Sequence, residues 1–385
     1  MKNRIAFIGH SYHLKTRSSD FFIDLLSKYY DVEYIADDTW RNESCPNLKK
    51  IDGNYHAVIF WQMISRYYLK NLKCKNIIFV PMYDKSGNEP RSYWYHFKDL
   101  KIINFSETLG QFLENQGFNS LNIRYFPKPI QNQKPGDSKA CFFWQRTNEI
   151  DWHTVKILLS KSSIDRIHIH TAVDPGFTFI SPSRKDERTF HITYSSWFKT
   201  KDEYLDIVDK CEFYIAPRYH EGIGLSFLEA MARGKVIIAA NRPTMNEYIS
   251  NDVNGYLFDP ENIKPINFHD ADIVKVNSLR TIAEGYVKWL NDQDRIIDFI
   301  EASNKKNYYF IKHPFAKYET RSILRTIKTL IKYILPLGII RLMSYLKKDK
   351  KWKKIIKESI KLFIPYGILV IIRYFKIKKK NEASV

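Results

Sequence analysis

The chain has 385 residues, 44% hydrophobic and 15% aromatic, which supplies apolar material for more than one core and excludes a disordered protein. Its net charge of +19 is concentrated: Arg321 to Lys380 carry 18 Lys and Arg against Asp349 and Glu358 alone. The remainder is close to neutral, so any attraction to nucleic acid or another polyanion belongs to that one segment and not to the body of the chain.

Four cysteines, Cys45, Cys74, Cys141 and Cys211, fall in or beside apolar runs without CxxC pairing and read as free thiols in a reducing compartment. The opening MKNRIAFIGH has too short an apolar stretch for a secretory signal and reads as a first strand, Ile5 to Ile8, ending at Gly9. A polar loop, HSYHLKTRSSD, follows. Phe21, Phe22, Leu25 and Leu26 then recur at helical spacing before a second strand, Val32 to Ile35. Further strands are predicted at Ala57 to Trp61, Ile77 to Val80 and Lys101 to Phe105, alternating with amphipathic stretches such as Leu109 to Gln116, the pattern of a parallel sheet covered by helices. Pro127 to Lys139, rich in Pro, Gln and Gly, breaks the periodicity as a linker. A second round begins at Ala140 to Trp144 and continues through strands at Ile167 to His170, Phe213 to Ala216 and Val236 to Ala240, with a helix near Glu203 to Val208. The fold class expected is α/β, with two Rossmann-like domains at 1–130 and 131–310, a cleft between them, and a basic amphipathic segment at 311–385.

The stretch Ala216 to Pro260, APRYHEGIGLSFLEAMARGKVIIAANRPTMNEYISNDVNGYLFDP, carries the chemistry. A strand ends at Pro217, a glycine-bearing loop follows, and a helix opens near Gly224 and closes at Gly234. Gly222 and Gly224 clear side chains from the approach to the helix amides, which suits a phosphate. Glu221 and Glu229 flank that place and suit hydrogen bonding to sugar or ribose hydroxyls.

This block resembles glycosyltransferase family 4, the retaining GT-B group whose motif E-x7-E is matched by Glu221 and Glu229, with Gly222, Gly224, Ala230, Met231, Ala232 and Gly234 in place. The looser resemblance extends over residues 1–310. It implies that Glu221 contacts the donor sugar, Glu229 the nucleotide ribose, and the loop amides at Gly222, Ile223, Gly224 and Leu225 the diphosphate, with Gly9 and His220 beside them. It also implies a basic pair early in the second domain. Arg146 supplies the arginine, the following lysine is absent, and Arg218 or Lys15 stands in for it. Asp84, in the turn VPMYD, falls at an acceptor-side position. His10 and Lys15 belong to an acceptor or phosphate loop. The resemblance implies retention, in which the departing diphosphate takes the acceptor's proton, without a metal or other cofactor. His168 and His170 lack carboxylate partners at a motif distance. Inversion would instead need a base, with Asp84 and His10 as candidates. Trp144 and Trp197 read as core or rim aromatics.

The basic segment holds two copies of one pattern, IKYILPLGII from Ile331 and IKLFIPYGIL from Ile360. The apolar run Leu362 to Ile372 is well short of the roughly 20 residues that span a bilayer. Each Lys or Arg near an anionic leaflet contributes about 1 kcal/mol, so residues 321–380 are expected to hold the protein peripherally at the inner face of a cell membrane. The partners expected are a nucleotide-sugar donor and a lipid-linked glycan acceptor in synthesis of lipopolysaccharide, capsule or a related bacterial surface polysaccharide. A nucleic-acid-binding role of the tail is the alternative from another class.

Overall fold

A computed structural model describes residues 2–41, 46–47, 51 and 53–303, all within one compact unit, Met1–Lys312. The basic segment 311–385 with its two repeats, the membrane contact assigned to 321–380, and Cys45 lie outside the described residues. Among the described residues, no helix is long and apolar enough to cross a membrane.

The first half runs β1 (Arg4–Gly9), α1 (Ser11–Thr16), α2 (Asp20–Ser27), β2 (Asp31–Ala36), β3 (Ala57–Gln62), α3 (Arg66–Asn71), β4 (Ile77–Pro81), α4 (Tyr83–Ser86), α5 (Arg91–Trp94), β5 (Lys101–Asn104), α6 (Glu107–Asn115) and β6 (Ser120–Asn122). The second half runs β7 (Asp137–Trp144), α7 (Trp152–Leu159), β8 (Arg166–His170), α8 (Arg184–Thr189), β9 (Thr193–Ser195), α9 (Lys201–Lys210), β10 (Cys211–Ile215), α10 (Leu225–Ala232), β11 (Val236–Ala240), α11 (Met245–Tyr248), β12 (Tyr256–Phe258) and α12 (Ala271–Glu301). Each half is a six-stranded sheet, ordered β2-β1-β3-β4-β5-β6 and β12-β11-β10-β7-β8-β9, with every pairing parallel. Central strands are covered on both faces, which is why AVIFWQ, IIFVP and VIIAA are buried along their whole length and read as near-continuous apolar runs.

The strand order reverses between β1 and β3 in the first sheet and between β7 and β10 in the second. A crevice opens outside the carboxyl ends of the strands at such a switch point.

Two devices tie the halves together. The 31-residue α12 buries Val274, Ser278, Ile282, Gly285, Trp289, Asp292, Ile296 and Ile300 along one face and finishes on the first half. There Lys101, 2% exposed, donates to the carbonyls of Phe299, Ile300 and Ala302 at 3.1, 2.7 and 2.6 Å, satisfying groups that a helix end leaves open. In the other direction, the carboxylate of Glu247 on α11 accepts from Ser106 Oγ (2.8 Å) and from the amides of Glu107 (2.8 Å) and Thr108 (3.0 Å), capping the N-terminus of α6.

Two expectations are corrected, and one element had none. The polar loop after Gly9 contains a helical turn and a half, α1. β7 begins at Asp137, inside the expected linker. The long helix α12 was not anticipated at all.

Candidate active site

The carboxyl ends of both sheets open on one cavity of about 1010 Å³. His10 follows β1, Gln62 ends β3, and Met82 and Asp84 follow β4. From the second half come Trp144 at the end of β7 and Arg146 after it, Asp174 after β8, and Arg218 and Glu221 after β10, all lining the cavity. Both switch points therefore contribute to its walls.

The loop from Arg218 to Gly224 is shaped by its glycines. Gly224 is the residue before α10 and sits at φ +86°, where a β-carbon would lie 2.0 Å from Phe227 Cε1. A side chain is excluded there on both counts. Among the described residues four helices receive a side-chain cap, α6 from Ser106, α7 from Asp151, α8 from Ser183 and α9 from Thr200, and the others, α10 included, do not. Gly222, Ile223, Gly224, Leu225 and Ser226 all line the cavity. Open amides and the positive end of the helix dipole form a place for an anion.

Glu221 is buried, and its Oε1 has no hydrogen-bond partner. Burial raises its pKa, against the opposing pull of Arg218 and Arg146. Arg218 donates through Nη1 to Asp84 (2.9 Å) and through Nη2 to Asp174. Burial disfavours its charge, but Glu221, Asp174 and Asp84 outweigh that and its pKa is raised. Arg146 donates to Asp174 Oδ1 from Nε and Nη2 at 3.2 and 3.0 Å. Asp174 thus bridges both guanidiniums, while Asp84 reaches Arg218 from the opposite half and keeps Oδ1 buried without a partner. Such orphan oxygens need an explanation, and a ligand hydroxyl supplies one. Toward the rim, Lys201 Nζ lies 2.5 Å from Glu229 Oε1, and Lys15, Arg17, Lys85 and Lys199 add further cations to the lining.

Of the residues singled out from the sequence, Glu221, Glu229, Arg146, Asp84, His10, Lys15, Gly222, Ile223, Gly224 and Leu225 line this cavity. Gly9 and His220 do not. Gly9 is packed beneath Tyr34, whose hydroxyl would lie 2.7 Å from an added β-carbon. His220 turns away, donating from Nδ1 to the Pro243 carbonyl at 3.1 Å. Trp144 and Trp197 also line the cavity, Trp197 being 42% exposed with Lys15 Nζ 4.0 Å above its ring. His168 and His170 bond to hydroxyls on β9, Thr193 and Ser195, at 2.8 Å. Sequence reasoning missed Asp174, Lys201 and Gln62, none of which lies in a motif.

Residues 186–281 match the family model of the glycosyl transferases group 1. That segment contains Arg218, Glu221, the glycine loop and Glu229. No curated protein matches the sequence. Among solved structures, the chain is similar to Anabaena Alr3699/HepE in complex with UDP and glucose, at 12% identity over 77% of this chain and 98% of that one, with a TM-score of 0.52. A glycosyltransferase from Rickettsia africae ESF-5 is similar at 14% identity over 78% of this chain and 98% of that one, with a TM-score of 0.53. TarM is similar at 16% identity over 74% of this chain with a TM-score of 0.42, and the chain spans 56% of TarM's length. The first two likenesses establish the GT-B architecture of two facing Rossmann-like domains.

Proposed function

We propose that this protein is a retaining glycosyltransferase that moves a sugar from a nucleotide-sugar donor to a lipid-linked glycan acceptor in bacterial surface-polysaccharide synthesis. One observation carries the reading. The buried, partnerless oxygen of Glu221 faces the cavity beside the uncapped amino end of α10, within the segment that matches the transferase family.

In the proposed arrangement the donor diphosphate lies on the amides before α10, with Arg146 and the rim cations Lys201 and Lys15 opposing its charge. Glu229 takes ribose hydroxyls in exchange for Lys201. Glu221 and the free oxygen of Asp84 hold hydroxyls of the transferred sugar. The bond from the anomeric carbon to the β-phosphate oxygen breaks while the bond to the acceptor oxygen forms on the same face, and the acceptor's proton passes to the departing phosphate. The protein's contribution is electrostatic: amides and cations fixed where negative charge grows, each worth roughly 10²–10³ in rate where such a donor has been removed. The scheme draws on no metal. The reading divides the chain into an acceptor-side domain at 1–130, a donor-side domain at 131–310 and a membrane-associating segment at 311–385, and it places the protein in the cytoplasm at the inner membrane face.

The test is a screen of UDP-, GDP-, TDP- and CMP-sugars by thermal shift and nucleotide release, on wild type and Glu221→Gln, with anionic vesicles present. One donor should stabilise the protein, and its turnover should fall at least a hundredfold in the variant. Anomeric analysis of the product separates retention from inversion. Absence of binding by every nucleotide sugar refutes the transferase reading.

A further inference from the structure

The first sheet's switch point holds a group of polar side chains that the transfer scheme above does not use. Gln62, the last residue of β3, is 9% exposed and adopts φ +69°, a left-handed conformation unfavourable for any residue but glycine. Backbone strain of this kind persists where the surroundings impose it, and it concentrates at ligand sites. What Gln62 does from that position is hold a histidine. Its Oε1 lies 3.1 Å from His10 Nε2, just beyond the neighbouring strand β1. A carbonyl oxygen only accepts, so His10 carries its hydrogen on Nε2 and presents a lone pair on Nδ1. That nitrogen is buried and has no partner.

The His13 ring stacks on His10 with centroids 3.6 Å apart. Its Nδ1 pairs with Ser18 Oγ at 2.7 Å, whereas its Nε2 is likewise buried and makes no hydrogen bond of ordinary geometry, although Gln62 lies close enough to influence the ring, on a residue only 8% exposed. Both rings line the central cavity. Burial lowers the pKa of each, that of His13 to about 3, so the stack is uncharged at neutral pH. The lone pair on His10 Nδ1 only accepts, so it has nothing to offer an ionised phosphate oxygen but matches the O–H of a hydroxyl. A second cavity of about 530 Å³ adjoins the first, sharing Tyr12, Lys15, Asp174, Pro175, Phe177 and Trp197 with it, and its aromatic faces suit the C–H faces of sugar rings.

We propose that His10 Nδ1 and His13 Nε2, held by Gln62 and Ser18, bind two hydroxyls of the acceptor sugar next to the one that reacts. The acceptor is then recognised at this point as a neutral polyol, not through a phosphate. The inference rests on the glycosyl-transfer reading and gives the loop after β1 an acceptor-side role. Gln62 is a positioning residue, and no proton is transferred to either histidine.

The experiment uses the full chain labelled with ¹⁵N-histidine, observed by long-range ¹H–¹⁵N spectra at neutral pH. Methyl hexopyranosides, inorganic phosphate and Zn²⁺ are titrated separately, and UDP-sugar binding is followed by thermal shift on the same sample. The free protein should show His10 protonated on Nε2 alone. At least one glycoside should move the Nδ1 resonance while phosphate and Zn²⁺ leave it in place, and His10→Phe should weaken that glycoside at least tenfold. Gln62→Ala should shift the His10 tautomer balance, and Gln62→Asn should restore part of it. Protonation on Nδ1 in the free protein, a response to phosphate or Zn²⁺, or silence toward every glycoside overturns the proposal. Silence toward glycosides with intact UDP-sugar binding removes this inference alone, whereas loss of UDP-sugar binding removes the reading beneath it.

Discussion

Replacing Glu247 by alanine probes how firmly the halves are coupled. The carboxylate serves three donors on α6, the Ser106 hydroxyl and the amides of Glu107 and Thr108, from an element of the other half. Losing a helix cap costs about 1 kcal/mol, and removing a negative charge from a helix N-terminus about 0.3–1 kcal/mol more. The Ser106 bond to a charged acceptor adds about 1 kcal/mol, so Glu247→Ala should destabilise by about 2–3 kcal/mol. Glu247→Gln keeps one acceptor oxygen and loses the charge, and should cost about half as much. The measurements are urea and thermal unfolding by far-UV circular dichroism, with hydrogen exchange at the first amides of α6. The melting temperature should drop by about 4–8 °C for alanine, with early exchange confined to α6 and its neighbours. An alanine variant within about 0.5 kcal/mol of wild type, or a glutamine variant as damaged as alanine, would refute the account.

Other perturbations follow from the packing and the charges. Gly285→Ala places a β-carbon 2.2–2.4 Å from the Phe126 ring and should cost about 1–3 kcal/mol by overpacking; adding Phe126→Leu should recover part of the loss in urea midpoints. Gly222→Ala brings a β-carbon to 2.9 Å from Met82 Cβ across the cleft, and should lower donor affinity or turnover at least tenfold while leaving the unfolding midpoint nearly unchanged. Burial depresses His13 to about 3 and His168 and His170 to about 4. The unfolded chain takes up these protons near pH 6.5 and the folded one does not. Stability is therefore full above about pH 6.5 and falls toward pH 4, by up to about 1.4 kcal/mol per pH unit for each histidine. The raised pKa of Glu221 works in the opposite sense. Urea midpoints between pH 7 and 4.5 test this, and a profile unaltered by His13→Gln would contradict it.

The architecture was legible where one physical signal dominated. Strands buried on both faces leave continuous apolar runs, and β11 spans the predicted Val236–Ala240. The glycine loop was legible because a close approach to backbone demands glycine at Gly224, whatever the ligand. The return helix α12 was not, although its buried positions recur at intervals of three and four. Ser278, Gly285 and Asp292 occupy its inward face, so the stripe is interrupted by small and polar residues that let the helix lie close to its neighbours. The charge cluster was only half visible. Asp84 and Arg146 stood out by position, but Asp174 matters only because three strand ends converge, and no local pattern marks it. Gln62 falls one residue past the predicted strand Ala57 to Trp61, and its left-handed backbone has no trace in sequence.

The lysine that closes α12 bears on how the protein is made. Lys101 and the carbonyls it caps are 198 to 201 positions apart, and a ribosome adding about 5–20 residues per second needs about 10–40 s to cover that interval. For most of that time, once β6 has been made, the first sheet is complete in sequence but lacks its last helix, with an ammonium group near its edge awaiting acceptors not yet synthesised. The nascent first half thus waits for its closing helix until the second has emerged, and a translational pause within residues 130–270 would lengthen that wait without altering a single contact in the finished protein.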